Sequence, residues 1–459
     1  MFRSDPQSSA AGPADLSEPI RRPPAVAAPR LIQTVRFNRR QIEFVFGARQ
    51  QLGEVFEMRA GLPSGAVVTC HPDHARSLFT ADPELVPSLT AESPLRPVVG
   101  GSSVLTANGK RHLRQRRLLL PPFHGDAVAQ YERMITDASE ASIDRWPLNR
   151  PFALAPRMQA ITLRVIMTGI FGVQGDPRTG SAEHRLAGAV KRLLASSRLP
   201  LAGLVELMNM GRPEPTGIMR VTMGLLDSAV YPVIEQRRRE HETVQRADIL
   251  SLLLDAESED GEALSDRELR DELLTLVLAG FETTANSLAW AWERLIRTAD
   301  AYERLRASVC AGGAEGEELV EATIIEAMRS RPVIPIIGRR VTVPWRLGDY
   351  VVPAGSAVAV SILLLHHRED LYPDAFAFRP ERWIGRKPGA YEWIPFGGGT
   401  RRCLGAALAM AEQRIVLASM ARRLHIVAER AEPERAQHRN VTMIPARGAS
   451  VILRSRRAG

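Results

Sequence analysis

A glycine-rich segment leads to Cys403, one of three cysteines in the chain. It reads PFGGGTRRCLG from Pro395 to Gly405, and an apolar helical pattern follows it. The backbone N–H groups of a tight glycine loop, a helix N-terminus and the nearby Arg401 all favour the ionised form of the thiol. A phosphate-binding loop is a poor alternative, because the Lys-Ser/Thr ending is missing and no strand-helix-strand pattern surrounds the segment. The segment therefore predicts a thiolate at Cys403.

A second candidate lies in a long predicted helix. Ser265 followed by Glu268 is a capping-box signature, and the helical pattern then continues without proline to about Thr298. At 1.5 Å per residue, this helix would be roughly 50 Å long. Residues 273–279 are apolar except for Thr275, which is typical of a helix that passes through a core.

Polar residues interrupt this helix at its centre. Gly280, Glu282, Thr283 and Thr284 place a helix-weakening glycine, a carboxyl group and two hydroxyls where burial is costly. One interpretation is a functional site, in which the glycine admits a ligand close to the backbone and Glu282 relays protons. The other is a structural pair of core threonines with Glu282 reaching solvent. The helix alone leaves both open.

The elements that position these residues change character along the chain. Residues 1–30 are rich in Pro, Ala, Ser and Arg without periodicity, and they predict a disordered or loosely packed lead. From there to about residue 299 the apolar spacing is mostly helical, whereas short alternating segments after Arg331 predict a small sheet. The predicted helices include 128–143, 157–170, 217–234 and 406–424; the predicted strands include 338–343, 350–353 and 356–360, with a terminal hairpin over 441–453.

Composition excludes several classes of protein. Hydrophobic residues at 45% and charged residues at 24% are typical of a folded globular protein. The most apolar long stretch, 154–173, contains Arg157 and Arg164, so no transmembrane anchor is predicted. The N-terminus lacks the apolar core of a secretory signal, which predicts a cytoplasmic location. An acidic protein partner explains the net charge of +8 as well as nucleic acid does, and with 5% aromatic residues no nucleic-acid partner is predicted.

Metal sites other than one at Cys403 are not predicted. The three cysteines are widely spaced, which argues against a disulfide framework and against a multi-cysteine zinc or iron–sulfur site. His366 and His367 are adjacent in an extended segment and would point to opposite faces, so a shared ion is not expected.

The cysteine loop matches, at every spacing, the haem-binding loop Phe-x-x-Gly-x-Arg-x-Cys-x-Gly of the cytochrome P450 family. The matching residues are Phe396, Gly399, Arg401, Cys403 and Gly405. The chain thus resembles this family from about residue 31 to near its C-terminus. The resemblance implies that Cys403 is the proximal ligand of haem b, iron protoporphyrin IX, within a cofactor-binding loop.

Further motifs carry the same resemblance. Ala279 and Gly280, followed by Glu282 and Thr283, match the oxygen-activation motif, in which Thr283 handles oxygen and Glu282 helps to deliver protons. Glu326, Arg329 and Arg382 match a structural triad behind the haem. The positions that bind the haem propionates in the family are His112, Arg116, Arg339 and Arg401 here. 

The resemblance implies a mainly α fold with a minor β region, the cytochrome P450 fold, as a single large triangular domain over residues 31–459. It also implies a monooxygenase that inserts one oxygen atom from O2 into a hydrophobic substrate by hydroxylation or epoxidation; the candidate classes are terpenoids, fatty acids, steroids and polyketides. An external ferredoxin or flavodoxin with an NAD(P)H-linked reductase would supply electrons, docking on Arg402 and Arg114. The predicted pocket lining, mostly aliphatic, is 87–104, 194–210, 277–279, 333–337 and 442–444.

Two other functions remain open at this point. A peroxide-driven haem-thiolate peroxygenase or isomerase would not need an acid–alcohol pair, so Glu282 and Thr283 disfavour it. A haem-binding sensor or carrier would use Cys403 as a redox-sensitive ligand, and no output segment for such a protein is recognisable.

Overall fold

The computed structural model describes residues 10–456 apart from 16, 18, 61–64, 93–94, 124–125, 174, 176, 197–204, 206–207, 210–211, 213, 242–245, 247 and 258–260. The chain divides into two compact units. The larger unit contains Met1–Pro87, Ile135–Ile161 and Thr283–Gly459, and the smaller unit contains Ser88–Met134 and Thr162–Glu282.

The helices in chain order are α1 (Arg30–Arg39), α2 (Gln41–Leu52), α3 (Pro72–Thr80), α4 (Arg96–Val99), α5 (Gly109–Leu119), α6 (Asp126–Ile143), α7 (Leu154–Phe171), α8 (Ala182–Ser196), α9 (Gly217–His241), α10 (Ile249–Leu254), α11 (Asp266–Leu295), α12 (Ala299–Ala311), α13 (Ala314–Ser330), α14 (Ile362–Leu365) and α15 (Ala406–Arg423). The strands are β1 (Ala11–Pro13), β2 (Val55–Met58), β3 (Ala66–Thr69), β4 (Pro151–Ala153), β5 (Ile336–Arg340), β6 (Trp345–Leu347), β7 (Tyr350–Val352), β8 (Ala357–Ser361), β9 (Leu424–Ala428), β10 (Ala436–Arg439), β11 (Thr442–Pro445) and β12 (Ser450–Arg456). Helix dominates and the strands are short, which confirms the predicted mainly α class with a minor β region.

The larger unit is built on a four-stranded sheet with the order β2-β3-β8-β5. Strands β3 and β8 run parallel at its centre, and the outer pairs are antiparallel. Every residue of β3 and β8 is buried, as expected for central strands covered on both faces. Val68, Val358 and Leu364 belong to the hydrophobic core around this sheet. Strand β5, which carries Arg339, is therefore held on a rigid edge.

The predicted strands near residues 338–360 are confirmed, but the predicted terminal hairpin is wrong. Strand β11 pairs with β10, whereas β12 lies between β4 and β9. The segment 441–453 does contain two strands, and each pairs with a different partner. Strand β10 has the sequence AQHR, which lacks the β-branched residues by which a strand is recognised.

The N-terminal lead differs from the loosely packed segment that the sequence predicts. Strand β1 pairs with β6 in an antiparallel register. Further along, the Val351 N–H donates to Arg21 O, and the Val26 N–H donates to Glu57 O. These are backbone hydrogen bonds to existing strands, which need no apolar periodicity in the lead itself. The boundary at residue 31 stays a prediction.

Helix α11 forms where the capping box predicts it. The Ser265 hydroxyl and N–H donate to Glu268 Oε2 at 2.8 and 3.0 Å, and the Glu268 N–H donates to Ser265 Oγ at 3.3 Å. These bonds satisfy N–H groups that a helix start leaves without intrahelical partners. The helix ends at Leu295, three residues before the predicted Thr298. The division between the two units falls within it, after Glu282.

The smaller unit is helical in its described residues. Helices α8 and α9 pack together, and α10 packs on α9. Arg237 of α9 is buried beside Asp248, the N-cap of α10, and also donates to Phe171 O at 2.9 Å. Because removing either charge would leave the other buried and unpaired, this ion pair fixes the end of α9 against α10.

One helix in the described part of the chain is long and apolar enough to cross a membrane. It covers residues 217–240 with a mean hydropathy of 1.2, and 39% of its 18-residue window is buried. The apolar segment 154–173, which contains Arg157 and Arg164, is not part of this stretch. Core helices of soluble proteins meet the same criteria, so a single such helix is weak evidence for a membrane span.

Candidate active site

The cysteine loop of the larger unit is closed by backbone hydrogen bonds. The Cys403 N–H donates to Phe396 O at 2.9 Å, and the Arg402 N–H donates to Gly399 O at 3.1 Å. Helix α15 begins three residues after the cysteine, with Gly405 as its N-cap. The Cys403 side chain is exposed. The loop thus presents an accessible thiol close to a helix N-terminus, where the helix dipole favours negative charge.

Two glycines of this loop allow its tight course. Gly397 and Gly399 have φ values of +68° and +62°, in the left-handed region that favours glycine. A Cβ atom at Gly399 would collide with the backbone oxygen of Phe79, on α3. The loop can therefore lie against α3 only with glycine at this position.

Arg339, on β5, is a buried cation. Its side chain is 6% exposed, its guanidinium stacks 5.0 Å from the ring centre of Phe79, and it donates to Gly338 O at 3.0 Å. Among the described residues no carboxylate pairs with it. Burial lowers the pKa of the Arg339 guanidinium to about 10. A charge held in this way is suited to an anion that comes from outside the chain.

Helix α11 has several accessible residues in an otherwise buried stretch. Ala279 is exposed and Leu276, Leu278 and Gly280 are partly exposed, whereas Leu274 and Val277 are buried. Leu276, Ala279 and Gly280 follow the three- and four-residue spacing of one side of the helix, and Leu278 lies on another side. Glu282 and Thr283, the next polar residues, are both partly exposed.

The structure changes the interpretation of Gly280. A Cβ atom there would lie 2.7 Å from Cδ1 of Ile166, on α7. One residue further on, the Thr162 hydroxyl donates to Phe281 O at 2.9 Å. Close packing of α7 on the helix backbone, and not only ligand approach, therefore favours glycine at this position.

Two of the predicted propionate-binding residues lie on α5 of the smaller unit. His112 is buried and Arg116 is partly exposed, one helical turn apart. Arg401 lies in the larger unit, in a short 3-10 turn that ends just before Arg402. The predicted propionate-binding residues thus belong to different units.

The chain has relatives that match it over most of its length. The Cytochrome P450 family profile matches residues 23–453. Cytochrome P450 138 of Mycobacterium tuberculosis is 36% identical over 445 residues, which cover 95% of this chain and 97% of the relative. Cytochrome P450 135B1 of Mycobacterium bovis is 35% identical over 439 residues, with 95% and 92% covered.

The chain belongs to the cytochrome P450 family. The fold agrees: the solved structure of retinoic-acid-bound cyanobacterial CYP120A1 superposes with a TM-score of 0.79 at 22% identity, covering 95% of this chain and all of that one. This P450 is accordingly a haem-dependent monooxygenase that binds haem b. Its described residues fit that cofactor, because the larger unit offers an accessible thiol for the iron and a buried guanidinium, unpaired by any carboxylate, for a propionate.

The predicted triad residues of this P450 lie together in the larger unit. Arg329 donates through Nε and Nη2 to the two oxygens of Glu326 at 2.8 and 2.9 Å, and Arg382 Nε donates to Oε1 at 3.2 Å. Glu326 and Arg329 are fully buried. Sequence reasoning missed two further donors to Glu326, the Trp383 indole N–H at 2.9 Å and the Arg379 N–H at 2.9 Å. Both residues belong to the segment FRPERW, residues 378–383, which also contains Arg382. The sequence therefore contained a signal for these two donors.

Other predicted residues have structural partners. His366 accepts from the Ile394 N–H, and His367 Nδ1 lies 2.8 Å from Leu363 O. Burial lowers the pKa of His366 to about 3 and that of His367 well below its usual range, so both rings are neutral. Arg114, a predicted docking residue, is only partly exposed and pairs with Glu268 at 3.2 Å.

Sequence reasoning also missed a pair of buried acids, Asp271 and Glu272, in the first turns of α11. The signal was their position, directly before the apolar run that predicts a core helix. Two acids at the start of a helix are ordinary on a surface, where the helix dipole favours them. Their burial depends on the loop around Val104, which no local pattern reveals.

Proposed function

We propose that Cys403 Sγ is the proximal ligand of the haem and that this P450 oxidises a hydrophobic small molecule. The observation that carries the proposal is the accessible thiol at the end of a glycine-constrained loop, just before α15. Bound through a thiolate, haem supplies oxygen activation, because the thiolate pushes electron density onto the iron, as is general in this family. The chain's own task is to hold the cofactor, orient the substrate, control protons and exclude water.

Basic side chains would hold the two propionates. Arg339 is the strongest candidate, because its buried charge has no carboxylate partner among the described residues. Arg401, His112 and Arg116 would complete the set on the strength of the family motifs. Pairing with a propionate would offset the cost of burying the Arg339 charge.

Two side chains of α11 would handle protons. Thr283 Oγ1 would hold a proton next to the reacting oxygen, and the Glu282 carboxyl would exchange that proton with solvent. Both side chains are partly exposed on a helix whose neighbouring residues are mostly buried, which supports this division of labour. Ala279 and Gly280 would line the same region. The triad of Glu326, Arg329 and Arg382 would hold the polypeptide behind the cofactor and take no part in the reaction.

The substrate would be largely apolar, in the range of terpenoids, fatty acids, steroids and polyketides. The predicted lining that falls on described residues is mostly aliphatic, including Val104, Val277 and Val333 in the core and the partly exposed Ile337. Most of the predicted segment 194–210 lies outside the described residues. A ligand screen that finds spectral shifts only with small charged molecules would contradict this class.

The thiolate ligand is tested by Cys403→Ser. The reduced, carbon-monoxide-bound absorption spectrum distinguishes thiolate-ligated haem from other ligation, so the wild type is expected to show the thiolate form and the variant to lose it. Cys310→Ser is a matched control, because Cys310 is an exposed cysteine on α12. Wild-type protein without the thiolate spectrum, or a Cys403→Ser variant that keeps it, would refute the assignment.

Electrons would come from an acidic ferredoxin or flavodoxin served by an NAD(P)H-linked reductase, and Arg402 would contribute to docking. Arg402 is exposed and directly precedes Cys403, whereas the ion pair with Glu268 makes Arg114 a weaker candidate. Arg402→Glu is expected to slow reduction and to flatten its dependence on ionic strength. Arg239→Glu, a change of a highly exposed arginine on α9, is the control. Unchanged reduction kinetics in Arg402→Glu would exclude this surface.

We further propose that the protein works in the cytoplasm without a membrane anchor.

A further inference from the structure

Among the described residues, only one of the two carboxyl oxygens of Glu272, on α11, has a hydrogen-bond partner. The side chain is completely buried, and Oε1 accepts from the Val104 N–H at 2.8 Å. Oε2 has no hydrogen-bond partner among the described residues. A buried polar atom without a partner is expensive, so it calls for a specific explanation.

Anchoring of the neighbouring loop explains Oε1 but not Oε2. Three consecutive loop residues bond to α11. The Ser102 N–H donates to Asp271 Oδ2 at 2.9 Å, Ser103 Oγ lies 2.6 Å from Thr275 Oγ1, and the Val104 N–H reaches Glu272. A single acceptor would satisfy the Val104 N–H. The second oxygen of Glu272 is not needed for the anchor.

The neighbouring acid shows what a purely structural carboxyl looks like in the same turn. Asp271 accepts from the Ser102 N–H and from Arg270 Nη1 at 2.8 Å, so a cation compensates its burial. Glu272 forms no ion pair of this kind among the described residues. Burial raises the pKa of Glu272 well above its usual range; the nearby Asp271 and Glu268 raise it further, and Arg111 opposes them.

Glu272, although buried itself, lies on the same side of α11 as three accessible residues that follow it. Counting from Glu272, Leu276 and Ala279 follow at four and seven residues, and Gly280 at eight, which places all four on one side of the helix. Leu276, Ala279 and Gly280 are solvent-accessible, and Leu278, on another side of the helix, is partly exposed as well. The rise from Glu272 to Ala279 is about 10 Å. The carboxyl therefore stands at one end of an apolar accessible stripe, near Val104.

We propose that Glu272 Oε2 binds a hydroxyl group of the otherwise apolar substrate and so fixes which end of that molecule reaches the oxidising centre. This inference rests on the proposed function, because it takes the accessible stripe of α11 as part of the substrate site. A hydroxyl suits the site in either protonation state of the carboxyl, since it donates to a carboxylate and accepts from a protonated acid. A carboxylate ligand would be disfavoured by the neighbouring acids. The rise of about 10 Å along α11 from Glu272 to Ala279 implies an elongated substrate.

The test compares alcohols with their methyl ethers, which keep the oxygen and lose the donor. Three pairs represent different skeletons: 1-dodecanol, borneol and androstanol, each against its methyl ether. Dissociation constants are measured on the haem-containing protein by the change of the main absorption band and by titration calorimetry. For the skeleton that binds, the wild type is expected to prefer the alcohol by about 10-fold.

Variants separate recognition from loop anchoring. Glu272→Leu is expected to abolish the preference, whereas Glu272→Gln should keep it within about threefold, because an amide can still pair with a hydroxyl and with the Val104 N–H. Glu272→Met takes the place of the leucine variant if that protein does not fold. Glu268→Gln is the matched control, one turn earlier on α11, and a capping box tolerates glutamine there. A merely structural role would change all affinities together and leave the ratio of alcohol to ether unchanged.

Equal binding of alcohols and ethers by the wild type, failure of all three alcohols to bind, or a preference that survives Glu272→Leu or Glu272→Met would each overturn the inference. The reduced, carbon-monoxide-bound spectrum of the same samples keeps the two proposals apart. A thiolate spectrum without an alcohol preference refutes only the role of Glu272. A missing thiolate spectrum in the wild type refutes the proposed function itself.

Discussion

Replacing Arg339 by methionine should make the polypeptide more stable and its hold on haem weaker. Burial lowers the pKa of the Arg339 guanidinium from its ordinary value of 12.5 to about 10. A difference of one in pKa corresponds to 1.36 kcal/mol. The buried charge of Arg339 therefore costs roughly 3 kcal/mol when no anion is present. Methionine has a similar length and carries no charge, and it would remove this cost.

The net gain is smaller, because the guanidinium also makes favourable contacts. Loss of the cation–π contact with Phe79 costs about 0.5–1 kcal/mol, and loss of the hydrogen bond to Gly338 O costs about 1 kcal/mol. Arg339→Met should therefore stabilise the haem-free protein by about 1 kcal/mol. With haem bound, the same change removes a charge-assisted hydrogen bond to a propionate, so haem should be released about ten- to a hundredfold faster.

Two measurements check this pair of effects. Transfer of haem to an excess of a haem-free acceptor protein gives the release rate, and urea unfolding followed by circular dichroism gives the stability after haem removal. Arg340→Met is the control, because this neighbour on β5 is partly exposed and donates to Gly355 O. Unchanged haem release in Arg339→Met would refute the assignment of Arg339 to a propionate. A loss of stability of more than about 1 kcal/mol in the haem-free variant would refute the reasoning about its buried charge.

Three further changes have definite expected outcomes. Thr283→Ala should keep reduction but lower the yield of product per electron consumed, because the hydroxyl that holds a proton at the reacting oxygen is lost; an unchanged yield would exclude this role. Glu326→Ala should lower the free energy of unfolding in urea by about 3–5 kcal/mol, since it leaves a fully buried guanidinium without its partner, and a loss below 1 kcal/mol would contradict this. Glu272→Gln should gain stability relative to the wild type as the pH rises above about 4.5, because the folded protein binds the Glu272 proton more tightly than the unfolded chain does. A stability difference that is constant between pH 4.5 and 8 would show that the pKa of Glu272 is not raised.

Local patterns were sufficient for the central helix and for the pair Glu326 and Arg329. The start of α11 is determined by side chains three residues apart, Ser265 and Glu268, and their reciprocal bonds form as predicted. Glu326 and Arg329 are likewise one turn apart on α13, so their contact is nearly determined by the sequence. The cysteine loop could be predicted for the same reason, because its glycines and its cysteine lie within one short segment.

Partners that are distant in the chain could not be predicted in this way. Strand β12 has a clear alternating pattern, but whether it pairs with β11, β9 or β4 depends on how the whole sheet packs. Strand β1 is short and has no strand-like composition, and it forms because the edge of β6 offers backbone partners. Pairing of this kind contributes hydrogen bonds without a side-chain signal.

The contrast between Asp271 and Glu272 shows where sequence reasoning about a buried site must stop. Both acids follow Arg270, and an i,i+1 or i,i+2 spacing gives neither a preferred helical ion pair with it. The structure nevertheless pairs Asp271 with Arg270 and turns Glu272 toward the loop at Val104. One acid is thereby compensated by a neighbouring cation, while the other keeps an oxygen that none of the described residues satisfies. Since burial of an uncompensated carboxyl lowers stability, its retention beside an otherwise apolar accessible face is most simply explained by the binding of a polar group on the substrate.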